Sequence, residues 1–187
     1  MNGHAIISEQ IPCIGLFGTC GVSQWRKPFI QRYQELDIPY FNPQVATGTW
    51  HPGLVAEENR HFHQDSLILF PVTAETTGQG SLAEIGFSVA NALRHAQDRF
   101  FLFLIEDACH DIGADEAARA DSVRSRALVK SKLLEAAGTH PNIILLDSLS
   151  DMLDISVSLF HWSNRKVALD SELDRILNYR PAFVSGF

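Results

Sequence analysis

Two carboxylates flank one apolar run, and their types and spacing are the clearest invitation to chemistry in the chain. Asp65 stands just before Leu67-Ile68-Leu69-Phe70-Pro71-Val72, and Glu84 stands after it, in Thr76-Thr77-Gly78-Gln79-Gly80-Ser81-Leu82-Ala83-Glu84-Ile85-Gly86. The apolar run reads as a buried parallel strand. Leu82, Ile85, Gly86, Val89 and Leu93 then fall on one face of a helix. Gly78 and Gly80 allow a tight turn and close approach to a ligand, and the helix start offers free N–H groups to an anion. Two carboxylates at one strand edge are the arrangement that glycosyl transfer uses. A structural reading fits the same letters. Ser81-x-x-Glu84 before an apolar run is a capping box with Ser81 as N-cap, and Asp65 can be a turn aspartate.

Other reactive residues form weaker patterns. Gly18-Thr19-Cys20-Gly21-Val22-Ser23 follows a first apolar run but lacks the spacing of a dinucleotide fingerprint or a P-loop. No histidine partner can be placed beside Cys20 to make it a nucleophile. His61-x-His63-x-Asp65 has metal-ligand residue types. On a helix, however, alternate residues point apart, so no metal is expected, and no cofactor. Cys109-His110-Asp111 reads as a solvated loop. Trp25, Phe41 and Trp50 could stack on a base, though aromatics near strand ends also serve as core.

These residues need a frame, and the hydrophobic pattern supplies one. Cys13 to Phe17, Tyr40-Phe41, Leu67 to Val72, Arg99 to Ile105 and Asn142 to Leu146 read as strands. Between them lie helical patterns: from about Ser23–Lys27 through Leu36, from Pro52 to about Gln64, from Leu82 through Leu93, and up to Ala137 with Gly138 closing it. Ser148-x-x-Asp151 caps a further helix, and a separate amphipathic segment spans about Leu169 to Asn178. Five alternations imply an α/β, flavodoxin-like five-stranded parallel sheet with helices on both faces. Residues 1–187 read as one domain with a C-terminal helical extension from about 165. Ligands of such sheets bind at the carboxyl ends of the strands near the switch point.

The 187 residues are 45% hydrophobic and 20% charged, which suits one globular domain. A net charge of -7 without a long basic run argues against nucleic acid or anionic membrane as partner. Three cysteines without CxxC spacing fit a reducing compartment. No signal peptide or membrane-length apolar run is present, so a cytoplasmic location is expected.

Ile14-Gly15-Leu16-Phe17-Gly18-Thr19-Cys20, Ser23-x-Trp25-Arg26, Tyr40-Phe41-Asn42-Pro43, Asp65-Ser66-Leu67-Ile68-Leu69-Phe70 and Gly78-x-x-Ser81-x-x-Glu84-Ile85-Gly86 together resemble the nucleoside 2-deoxyribosyltransferase-like family, in its divergent G-T-C-x-x-S-x-W-R branch. The resemblance covers about Cys13 to Leu104. It implies cleavage or transfer of the N-glycosidic bond of a nucleoside or its 5′-monophosphate. Glu84 matches the family's nucleophile and Asp65 its aspartate before the third strand. Phe17, Gly18, Thr19, Cys20, Trp25, Arg26, Asn42, Trp50, Gly78, Gly80 and Ser81 are the implied substrate-binding positions, and a homo-oligomer is implied. Gly78 and Leu16 replace an aspartate and a tyrosine of the family's transferases, so hydrolysis, with water as acceptor, is expected beside base exchange. The loop from Gly78 to Glu84 is also similar to that of the lysine-decarboxylase-like phosphoribohydrolases, which gives a second enzymatic reading. A catalytically silent nucleotide-binding domain is the third.

Overall fold

The computed structural model describes residues 12–44, 52–94 and 99–177. Five strands alternate with five helices: β1 (Ile14–Leu16), α1 (Arg26–Glu35), β2 (Tyr40–Phe41), α2 (Pro52–Gln64), β3 (Leu67–Val72), α3 (Gln79–Arg94), β4 (Phe100–Ile105), α4 (Glu116–Ala137), β5 (Ile143–Leu146) and α5 (Leu149–Leu177). Every strand pair is parallel and the order is β2-β1-β3-β4-β5. This is the α/β, flavodoxin-like arrangement. Its cause is visible in β3 and β4, where nearly every residue is buried. A strand with two apolar faces is stable only when helices cover both.

The pleat sends alternate side chains to opposite layers. Leu67, Leu69, Leu102 and Leu104 pack with Ile14, Leu16, Phe29, Tyr33, Met152 and Phe160, under α1 and α5. Ile68, Phe70, Phe101 and Phe103 pack with Leu82, Ile85 and Leu133, under α3 and α4, with Phe62 of α2 alongside. Tyr33 and Ser156 share a buried 2.5 Å hydrogen bond that joins α1 to α5.

The two C-terminal helical segments read from the sequence are one helix of 29 residues, α5. No glycine or proline interrupts it between residues 149 and 177, and Arg165 and Lys166 are exposed, so nothing stops propagation. Among its described side chains, those after Ser163 are exposed. No described helix is long and apolar enough to cross a membrane.

The order places β1 beside β3 at the point where the chain reverses its direction of winding, so the loops after these two strands are neighbours. Gly18 makes the crossing possible. Its φ is +92° and an added Cβ would lie 2.4 Å from the Pro71 carbonyl oxygen. By contrast Gly86 lies inside α3 with open space around it. Gly18→Ala is therefore expected to lower the melting temperature. Gly86→Ala should raise it, through a gain of about 0.5–1 kcal/mol from helix propensity. Paired thermal melts check both signs.

Candidate active site

The β1–α1 loop is held from behind by α1. Arg26 donates from Nε to the Leu16 carbonyl at 2.9 Å, from Nη1 to Thr19 O at 2.6 Å and from Nη2 to Gly18 O at 3.2 Å. The Trp25 indole N–H donates to Thr19 O at 2.9 Å, and the guanidinium lies 4.5 Å from the Trp25 ring centroid. Thr19 closes the seam to β3. Its N–H donates to Pro71 O at 2.9 Å, and its Oγ1 accepts from the Thr73 N–H at 3.0 Å. Trp25, Arg26 and Thr19 are 3%, 2% and 1% exposed. The expectation that they touch substrate is corrected: they build the loop and leave its outer surface to Gly18 and Cys20.

The β3–α3 loop has its own clamp. Arg126 of α4 is fully buried. It donates to the carbonyls of Val72, Glu106, Thr73 and Thr76 at 2.7–3.0 Å and to Ser122 Oγ at 3.0 Å. Ser122 in turn donates to Thr77 O at 2.7 Å. Gly78, at φ +65°, leaves room for the guanidinium, since a Cβ there would lie 3.1 Å from Arg126 Nη2. A planar cation with five donors suits a knot of loop carbonyls that no apolar residue could satisfy.

Helix α3 begins at Gln79, and the Leu82 N–H donates to Gly78 O at 2.8 Å. Gly78 is thus the residue that opens the helix. Ser81 is already inside it, and the capping box with Ser81 as N-cap is corrected. The reason is local: a glycine at positive φ starts the turn before Ser81 is reached. Glu84 is left without that duty, and no described hydrogen bond or ion pair ties its carboxylate.

Glu84 instead faces a cleft with two lobes. One, of about 250 Å³, is lined by Phe17, Val55, Glu58, Asn59, Phe62, Glu84 and Phe87. The other, of about 190 Å³, adds Gly18, Cys20, Pro43, Gly80 and Ser81 to the shared Phe17, Glu58 and Glu84. The first lobe is mostly apolar. The second is bounded by the two glycine-bearing loops at the carboxyl ends of β1 and β3. Glu58 and Glu84 are common to both. Glu84 keeps much of its contact with solvent, yet partial desolvation pushes its carboxyl above the usual carboxylate range, and the charge of Glu58 adds to the rise. Desolvation likewise raises Glu58, against an opposing pull from the Arg26 guanidinium. Two carboxyls with raised pKa values in one cleft can divide the roles of base and acid.

Glu58 was not singled out by its sequence, although a signal exists. Val55, Glu58, Asn59 and Phe62 form an i, i+3, i+4, i+7 stripe on α2. A glutamate on a stripe with Val55 and Phe62 is misplaced for a wholly solvated face, and in the fold the whole stripe lines the cleft.

Asp65 is elsewhere. It lies two residues before β3, at the level where Ile14 pairs with Leu67, which is the amino end of the sheet. It does not line the cleft. Its Oδ1 meets His61 Nδ1 at 2.9 Å, and its Oδ2 points toward Gly15, where a Cβ would lie 2.9 Å away. The Phe17 ring also covers Gly15 and presents itself to the cleft. Asp65 is therefore packed beneath the cleft floor, and the pairing of Asp65 with Glu84 is replaced by that of Glu58 with Glu84. Burial raises the Asp65 pKa, partly offset by His61. Burial, and then the Asp65 charge, push the nearby Cys13 thiol up to about 12.

Of the remaining expected positions, Gly18, Cys20, Gly80 and Ser81 line the cleft. Gly78 shapes the loop without lining it. Asn42 Oδ1 accepts from the Gln44 N–H at 3.1 Å, a local turn bond. Phe41, weighed as a base platform, stacks on His61 instead, with centroids 3.8 Å apart. Trp50 lies outside the described residues, as does the tail beyond Leu177.

No protein-family model matches the chain, and no curated protein matches it. Among solved structures it is similar to a conserved protein from Enterococcus faecalis V583, at 16% identity and a TM-score of 0.44, over 77% of this chain and 96% of that one.

Proposed function

We propose that the protein cleaves or transfers the N-glycosidic bond of a 2′-deoxynucleoside or its 5′-monophosphate, with Glu84 as nucleophile. The observation that carries the reading is the pair Glu58 and Glu84 in one cleft at the carboxyl ends of β1 and β3. In the first step a Glu84 carboxylate oxygen attacks C1′. The C1′–N bond breaks and its electron pair leaves with the base. Protonated Glu58 supplies the proton that the departing nitrogen takes up. In the second step water, or a second base, attacks the glycosyl ester with ionised Glu58 as general base, and Glu84 is regenerated.

The lobes suit the two ends of such a substrate. Val55, Phe62 and Phe87 offer apolar surface to the base. Gly18, Gly80 and Ser81 offer backbone and hydroxyl groups to the sugar 5′ end, beside the start of α3, where the helix dipole favours a phosphate. Self-association belongs to the same reading. Phe87, on the cleft rim, is 75% exposed, and a second copy covering α3 would close that lobe.

The test is release of free base, followed by chromatography, from a panel of 2′-deoxynucleosides, ribonucleosides and their monophosphates. Turnover of deoxy substrates is expected. Turnover confined to ribonucleoside monophosphates would transfer the site to the phosphoribohydrolase reading. No release from any member would leave a silent nucleotide-binding domain.

A further inference from the structure

We propose that Cys13, His61 and Asp65 form a zinc site that ties the amino ends of β1 and β3 to the last turn of α2. Their donor atoms, one sulfur, one imidazole nitrogen and one carboxylate oxygen, all lie within 4.8 Å of one another. Two stretches of chain converge to place them. Cys13 immediately precedes β1, Asp65 precedes β3, and His61 stands one helical turn before Asp65, on the same face. The apparent His61-x-His63-x-Asp65 pattern is therefore read differently by the fold. His63 turns its Nδ1 to the Asn59 carbonyl at 2.7 Å, and Cys13, forty-eight positions before His61 in the sequence (61 − 13), takes its place.

A second observation points to a cation. Asp65 is 4% exposed, and its Oδ2 is buried without a hydrogen-bond partner of ordinary geometry, although the nearby Cys13 thiol, itself a ligand here, interacts with the carboxylate. A buried carboxylate oxygen left unpaired is costly, and a metal ion is the partner that would satisfy it. The donor set selects the ion. Thiolate and imidazole disfavour magnesium and calcium, while thiolate, imidazole and carboxylate together suit zinc. Tetrahedral zinc with bonds of about 2.0–2.3 Å holds its ligands about 3.3–3.8 Å apart. The widest separation therefore needs to close by about 1.5 Å at most and the 2.9 Å contact of His61 with Asp65 to open slightly, and the fourth position is left to water. The ring plane is already fixed, because Phe41 stacks on His61 at 5°.

The neighbouring charges are compatible. Arg60 Nη2 now lies 2.8 Å from His61 Nε2. Zinc on Nδ1 puts a proton on Nε2, so Arg60 must turn away. Its side chain is half exposed and already lies 3.9 Å from Glu57. Arg99 donates to the Asp65 carbonyl at 2.7 Å and stays. Binding displaces the Cys13 proton, and zinc with one thiolate and one carboxylate is then neutral, so the arginines lose the negative charge of Asp65 but face no net positive one. The site stands independently of the cleft chemistry and survives if no base release is found.

The test uses the full chain. Protein stripped with EDTA is titrated with zinc against a chromophoric chelator, and separately with cobalt. One zinc per chain is expected, and the cobalt adduct should show a thiolate-to-metal charge-transfer band in the near ultraviolet. Cys13→Ser and Asp65→Asn should each weaken zinc by about a hundredfold or more, since even an outer-shell partner is worth about ten- to a hundredfold. Cys20→Ser together with Cys109→Ser should leave the affinity and the band unchanged. Absence of saturable binding, a cobalt adduct without the band, or affinity indifferent to Cys13→Ser would overturn the site. Should Cys13→Ser fail to fold, the variant lacking Cys20 and Cys109 decides, because Cys13 is then the only thiol.

Discussion

Glu84→Gln is expected to lower base release by about a thousandfold or more while leaving the melting temperature within about a degree or two of the parent. The amide keeps the shape of the side chain but removes the anionic oxygen that attacks C1′. Its effect on stability should be small for three reasons. Glu84 lies well inside α3 rather than at its cap, because the helix opens at Gln79. Its carboxylate holds no described hydrogen bond that an amide would break. Replacing it also removes a like-charge neighbour of Glu58, a change that favours the folded state slightly at neutral pH. The check is single-turnover base release and a thermal melt on the same preparation. A folded Gln variant with undiminished release would end the assignment of Glu84 as nucleophile. Loss of release together with a large fall in melting temperature would mean that the carboxylate supports the fold after all. Mass analysis of a rapidly quenched reaction adds a direct readout: the parent should carry one deoxyribosyl unit and the variant none.

Parts of this site could be read in the amino-acid sequence, and the physical reason differs for each. The strands were legible where both faces are buried, because a continuous apolar run such as Leu67 to Val72 needs cover on both sides, which a central parallel strand receives. The paired glycine loops were legible because Gly18 and Gly78 serve φ values that other residues resist. The role of Arg26 was not legible, because residue type alone does not say whether a guanidinium faces substrate or its own backbone. In the fold it is consumed by three carbonyls of the loop it was expected to supplement. The place of Asp65 does not follow from its proximity in sequence. In a parallel sheet a residue just before a strand lies at the amino end and one just after it at the carboxyl end, so the length of β3 separates what the chain places nearby. Glu58 was overlooked for the complementary reason. It is far from Glu84 in sequence, and only the cleft that α2 and α3 share brings them together. Cys13 with His61 is the same kind of long-range pair.

Glu58→Gln carries the second large effect, and pH is where it becomes diagnostic. Release requires the singly protonated pair with Glu84 ionised and Glu58 protonated, so the rate should rise through the first apparent pKa of the pair and fall above its second. Partial burial first, and the Glu58 charge second, hold the Glu84 pKa above the usual carboxylate range. Removing the Glu58 charge takes away the second contribution. The Glu84 pKa should then fall, and the bell-shaped profile should become a single rise through it. The alkaline limb should vanish, since the group that must stay protonated is gone. The rate at the optimum should drop by about 10²–10⁴-fold, the usual worth of a positioned general acid. A leaving group that departs without a proton discriminates the roles further. With a deoxyribosyl donor bearing p-nitrophenol, Glu58→Gln should recover most of the lost rate of the first step, whereas Glu84→Gln should recover none. An alkaline limb that persists, with equal losses on both kinds of donor, would show that Glu58 does not protonate the leaving group, and the two-carboxylate mechanism would fall with it.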